Sequence, residues 1–190
     1  AQAMGGYHAA RLWLLSVHYR RPLEASEKTL AMWAANWRKL NEAAANLTHC
    51  ATGAVGASAE AADAVDALRQ ELDRAVSDDL ALHRFWPHLF AFCRKANAAA
   101  SPKRAAPADA AAYLEGLKAV DSVLGVMDQS QMPLPRADWP EEAAGMAERR
   151  EKARAKKDFS LADELRAGIE ALGLRVEDTA AGPRLYAARK

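Results

Sequence analysis

Leu30, Trp33, Trp37, Leu40, Ala44 and Leu47 step by three and four residues, and that spacing restricts this part of the chain to an amphipathic helix. A strand cannot bury the same set, because its successive side chains point to opposite faces. Ser26 is placed to cap the helix, and the stripe runs out near Thr52-Gly53. Three further stripes repeat the pattern. Ala61, Val65, Leu68, Leu72 and Val76 follow Ser58. Phe85, Leu89 and Phe92 lie in a run from a Ser77-Asp78-Asp79 cap to about Asn97, which Pro87 should kink or restart. Tyr113, Leu114, Leu117, Val120 and Leu124 mark a helix over about Ala108–Met127. Ahead of them, Leu12, Leu15 and Tyr19 share a face over Ala9–Tyr19, with Trp13 beside it, until Arg20-Arg21-Pro22-Leu23 breaks the run. Glycine (10) and proline (8) are sparse, and long alternating β runs are missing.

The pattern changes at Gln129. Residues 129–140 hold three prolines and no periodicity, which reads as a linker. Two helices are predicted after it, about Glu141–Lys156 and Phe159–Leu172, with Asp158 capping the second and Gly173 ending it. The second carries Phe159, Ala162, Leu165, Ile169 and Leu172 as its stripe. Leu174 and Val176 alternate with polar neighbours, Thr179–Gly182 can turn, and Arg184–Ala187 can pair back. The expected fold is mainly α: an antiparallel five-helix bundle over 1–128, a linker over 129–140, and a small helix–helix–hairpin module over 141–190.

Charge is divided along the chain. Residues 149–190 carry 11 Lys/Arg against 7 Asp/Glu, whereas residues 1–148 carry 15 against 18. A basic tail on an acidic body suggests a polyanionic partner, and equally fits a solvated helix face. Two cysteines without a CxxC pair match a reducing compartment, so a cytoplasmic location is expected. His49-Cys50 offers two ligands, too few for a metal site. No stretch is long and apolar enough to span a bilayer.

Three stretches resemble the cysteinyl-tRNA synthetase family. Ala10-Arg11-Leu12-Trp13-Leu14-Leu15-Ser16, His18-Tyr19-Arg20, Pro22-Leu23 and Ser26 are similar to the entrance of its helical bundle. Asp78-Asp79-Leu80, Leu89-Phe90, Asn97 and Val123-Leu124-Gly125 follow at the family's intervals. Residues 149–182 resemble the terminal pattern A-R-x-x-K-D-[FW]-x-x-A-D-x-[IL]-R, then G, then E-D-T-x-x-G. There are departures. Ala81-Leu82-His83 stands where the family has N-T-P, Arg21 where it has serine, and Leu185 where an aromatic is expected, which questions one base-stacking contact.

The resemblance implies the anticodon-binding, C-terminal end of such a synthetase, with tRNA and the parent's catalytic domain as partners. The family's catalytic signatures, H-I-G-H-type and K-M-S-K-S, do not occur in this sequence. The chain is therefore expected to bind rather than catalyse and to hold no cofactor itself. ATP and zinc are implied only for a parent catalytic domain. A free-standing paralogue serving as an interaction bundle is the alternative, and a ligase joining cysteine to a non-tRNA acceptor is a third reading.

Splayed anticodon bases expose their Watson–Crick edges, which carboxylates and arginines can read. The candidate RNA-binding residues are Arg150, Arg154 and Lys157, spaced i, i+4, i+7; Asp163, one turn into the next helix; Glu177 and Asp178, ending a strand; Phe159, as a stacking platform; and Arg20. Each has a structural reading beside the functional one. The three cations form a solvated face, Asp163 pairs with Arg166, Phe159 belongs to the core, Asp178 caps a turn, and His18-Tyr19-Arg20 makes a corner.

Overall fold

The computed structural model describes residues 6–51, 56–101, 106–179 and 182–188. They form seven α-helices and one two-stranded antiparallel sheet, divided into two compact units, Ala1–Ser130 and Gln131–Lys190.

The first unit holds α1 (Tyr7–Leu14), α2 (Glu27–Cys50), α3 (Ala59–Ser77), α4 (Trp86–Ala99) and α5 (Pro107–Leu124). Leu12, Leu40, Leu47, Phe85, Leu89, Leu117 and Val126 are among its fully buried side chains. Helix α2 starts in a capping box: Ser26 Oγ accepts from the Thr29 N–H, and Thr29 Oγ1 accepts from the Ser26 N–H, both at 3.2 Å. Trp37 is core and donates from Nε1 to the Val126 carbonyl at 2.9 Å. Trp33 is half-buried against Trp86. Gly116 of α5 is closely covered: an added Cβ would lie 2.9 Å from the Phe92 ring and 3.2 Å from Val65.

Several boundaries differ from expectation. Helix α1 stops at Leu14 because Ser16 and Trp86 take up its orphan carbonyls: Ser16 Oγ donates to Trp13 O at 2.6 Å and Trp86 Nε1 donates to Leu15 O at 3.0 Å. Tyr19 thus lies outside the helix and is exposed. Ser77-Asp78-Asp79 does not cap a helix. Asp78 ends α3, Asp79 and Leu80 are left-handed (φ 52° and 55°), and a 3₁₀ turn over Leu82–Arg84 leads to α4. Pro87 sits in the first turn of α4, where its missing N–H costs nothing, so the proline restarts the helix. Val76 is exposed, and Ala75 takes the buried place at the end of the α3 stripe. Helix α5 ends at Leu124, and left-handed Gly125 closes it. Thr52-Gly53 lies outside the described residues, as does the centre of the Thr179–Gly182 turn.

The second unit holds α6 (Glu141–Ala155), α7 (Phe159–Ala171), β1 (Leu174–Thr179) and β2 (Gly182–Ala187), with Leu174 opposite Ala187 and Val176 opposite Leu185. Gly173, at φ 73°, turns the chain from α7 into β1. Trp139, Ala143, Ala147, Ile169, Leu174, Val176 and Leu185 form the core, with Leu134 packed on it. The stretch expected as a linker therefore supplies structure. Trp139 Nε1 donates to Leu134 O at 3.1 Å, and the Leu134 N–H donates to Leu185 O at 2.7 Å. Its prolines exclude long helix without excluding burial.

Candidate functional site

Helix α6 buries Ala143, Ala147, Arg150 and Ala153. They recur every three or four residues, so Arg150 stands in the inward stripe. Three alanines leave room for its long side chain, which is 4% exposed. Its Nη1 donates to Asp178 Oδ1, and its Nη2 donates to Asp178 Oδ2 at 3.1 Å. The two parallel bonds make a bidentate pair. Arg150 Nε is buried with no hydrogen-bond partner among the described residues.

Arg154, one turn further along α6, lies at the surface with Nε 3.4 Å from Asp178 Oδ2. Asp178 thus faces a buried arginine and an exposed one. The Arg150 hydrogen bond holds its carboxyl below the usual carboxylate range, against partial burial, and the positive charges of Arg150, Arg154 and Arg166 add to the effect. Arg150 and Arg154 do share a helix face, but only Arg154 is open to a ligand.

Lys157 lies beyond the end of α6 and off that face. The Asp158 N–H donates to Ala153 O and the Lys157 N–H to Arg154 O, both at 2.9 Å, while Lys157 takes φ 62°. This closure favours glycine at the left-handed position; a lysine there carries a strain of roughly 1 kcal/mol. Asp158 Oδ1 accepts from the Leu161 N–H at 3.1 Å and caps α7. The corner leaves Lys156, Lys157 and Phe159 exposed together. Phe159, 58% exposed, is not core.

Along α7, Phe159, Asp163, Arg166 and Glu170 follow one another at helical spacing. Asp163 is exposed and does not take Arg166 as its ion partner, because Arg166 Nε donates to Glu170 Oε1 at 3.0 Å. The positive charge of Arg166 is the smallest of the influences that lower the Asp178 carboxyl. Lys156 was not named from the sequence as a site residue, and Arg166 was named only as a partner for Asp163. Their signal was position: one flanks the closure of α6, and the other continues the Phe159–Asp163 face.

Glu177 stands apart. Strand alternation puts it opposite in face to Asp178, with Arg175 at 3.8 Å and Arg184 across the hairpin. Arg175 also stacks on Tyr186, 4.5 Å from the ring centroid. Leu185 is fully buried against Val176. A larger aromatic at that position would enter the core, so the leucine there does not remove an exposed stacking platform. Asp178 is bound through its side chain to α6 and caps no turn.

In the first unit, Arg20 is engaged by Asp79. Its Nε donates to Oδ2 at 2.8 Å and its Nη2 to Oδ1 at 3.2 Å, while the Tyr19 hydroxyl donates to Oδ1 at 2.6 Å and His18 Nε2 lies 3.5 Å from Oδ2. The Arg20 hydrogen bond, followed by that from Tyr19, pulls the Asp79 carboxyl down to about 2. This cluster joins the turn after α1 to the turn after α3. Among the described residues, no three His, Cys, Asp or Glu side chains gather to hold a metal ion, and no helix is long and apolar enough to cross a membrane.

No family model matches the chain. It is similar to the cysteine–tRNA ligase of Chlamydia pneumoniae, with 30% identity over 176 residues, covering 92% of this chain and 36% of that relative. It is also similar to the cysteine–tRNA ligases of Anoxybacillus flavithermus, at 29% identity, and of an Exiguobacterium strain, at 27%; each match covers 92% of this chain and 37% of the relative. The chain spans little more than a third of the length of these relatives.

Proposed function

Because the chain is homologous over 92% of its length to part of the cysteine–tRNA ligases, we propose that it is the tRNA-binding, anticodon-end portion of such an enzyme. Its second unit reads the anticodon loop. The observation that carries this reading is the exposed set on that unit: Arg154 and Asp178 in contact, Lys157 and Phe159 at the corner, and Asp163 one turn along α7. These residues lie in the stretch that resembles the family's terminal pattern. They supply the three things a single-stranded loop requires: cations for phosphate, carboxylate acceptors for base amino groups, and an open aromatic face for stacking.

In this reading Arg154 and Lys157 hold backbone phosphates, Phe159 stacks on an unpaired base, and Asp163 and Asp178 accept hydrogen bonds from base edges. Glu177 and Arg20, already engaged by arginine and aspartate partners, are secondary. The five-helix unit serves as a spacer toward a catalytic domain that joins cysteine to tRNA with ATP; ATP and zinc belong to that domain.

The test is a titration of the chain with the anticodon stem-loop of a cysteine tRNA and with a loop of altered anticodon bases, at low and moderate salt. Tighter binding of the cognate loop is expected, weakening as salt rises. Equal affinity for both loops, or none for either, would sink the anticodon reading.

A further inference from the structure

Asp178 and Arg150 join a residue of the proposed reading surface to a side chain that no ligand can reach. A free aspartate on a strand end rotates, and its carboxylate plane is undefined. Here both oxygens are taken from behind by a single planar guanidinium. Arg150 in turn is buried on the inward face of α6, 4% exposed. Each carboxylate oxygen has two acceptor directions, and a bidentate arginine uses one on each. The others remain available, and Arg154 stands loosely across Oδ2 from the exposed side.

We propose that Arg150 is the positioning residue for Asp178: it sets the carboxylate plane so that the outward lone pairs meet a base amino group. Arg154 has a separate role. It is the exchangeable partner, leaving Asp178 for phosphate as RNA arrives. The proposal rests on the anticodon reading above and deepens it. It divides the cations of α6 by job, with Arg150 governing which base is accepted and Arg154 governing how strongly any strand is held.

The experiment measures affinities of the full chain for the cognate and altered stem-loops across a salt series, with Arg150→Lys, Arg150→Met, Asp178→Asn, Arg154→Gln and the Arg150→Met/Asp178→Asn double variant. Arg150→Lys and Arg150→Met should each cut the cognate-to-altered affinity ratio by about tenfold, the scale of one lost base-edge contact. Their salt dependence should match the parent's, because a buried arginine neutralises no phosphate. Arg154→Gln should lower both affinities and flatten the salt dependence while keeping the ratio. On the Asp178→Asn background, Arg150→Met should change the ratio no further. Carboxyl NMR should show Asp178 titrating closer to the ordinary range in Arg150→Met.

A discriminating parent whose Arg150→Lys and Arg150→Met variants discriminate equally well overturns the positioning role alone. A further loss of ratio on the Asp178→Asn background, or a flattened salt dependence in Arg150→Met, overturns it as well. A parent that does not distinguish the two loops removes the anticodon reading and the positioning role together.

Discussion

Arg150 and Asp178, 28 residues apart, are joined by two hydrogen bonds from one guanidinium to one carboxylate. One partner is buried in an alanine stripe and the other is 42% exposed. That asymmetry gives their substitutions unequal costs. Asp178→Ala leaves the buried guanidinium without its carboxylate partner and should destabilise the second unit by about 2 kcal/mol, below the usual range for a broken buried pair because Asp178 is partly solvated. Arg150→Met leaves a carboxylate that water and Arg154 can still satisfy, and should cost about 1 kcal/mol. Urea denaturation followed by Trp139 fluorescence orders the two; an equal or reversed order would contradict the asymmetry.

Acid should act on the same pair. The folded Asp178 carboxyl lies below its unfolded range, chiefly through the Arg150 hydrogen bond. Its stabilisation is therefore complete above the unfolded carboxylate value of about 3.9 and is lost as pH falls through the lower folded value. Asp178→Asn should flatten the acid limb of stability against pH relative to the parent. Chemical denaturation between neutral and strongly acidic pH measures it, and an unchanged acid limb in the variant would contradict the assignment.

Lys157 separates stability from binding. Its φ of 62° is a glycine position. Lys157→Gly should stabilise the second unit by roughly 0.5–1 kcal/mol, while removing a cation from the exposed corner and weakening RNA binding with a smaller salt dependence. Thermal melts and stem-loop titrations on one preparation give both signs. A variant that loses both stability and affinity would show that lysine is there for packing.

Gly116 tests the five-helix unit. Alanine favours helix by about 1 kcal/mol over glycine, yet its Cβ would press on the Phe92 ring and Val65. Gly116→Ala should be net destabilising by about 1 kcal/mol, and Phe92→Leu in the same chain should recover part of the loss. Paired denaturation curves decide it; a stabilised single variant would mean that Phe92 rotates away freely.

Helices α2, α3 and α5 were legible because their stripes are long and match the period of the structure. The Phe159–Leu172 helix was also legible, with Asp158 and Gly173 marking its ends. The short α1 was overestimated, because a tertiary partner, Trp86, meets the chain at Leu15, and no local pattern encodes that. The residues of the candidate site could be named from the chain, but their division could not. Arg150 and Arg154 have the same chemistry and lie one turn apart, and only the burial of one distinguishes them. The clue was present in Ala143 and Ala147, whose small side chains mark the covered side of α6. Phe159 showed the reverse: an aromatic at a stripe position, yet exposed because α7 begins there.

Past the end of α5, six backbone groups between Leu124 and Asp128 are held by side chains. Arg11 donates to Leu124 O, His8 Nδ1 bonds Gly125 O, Trp37 donates to Val126 O, Asp121 accepts from Val126 and Met127, and Asn41 accepts from Asp128. Five residues carry about ten soft torsions, and these contacts leave few of them free to turn. Arg11 and His8 of α1, Trp37 and Asn41 of α2 and Asp121 of α5 thus make this segment part of the first unit's own structure rather than a tail hanging from it.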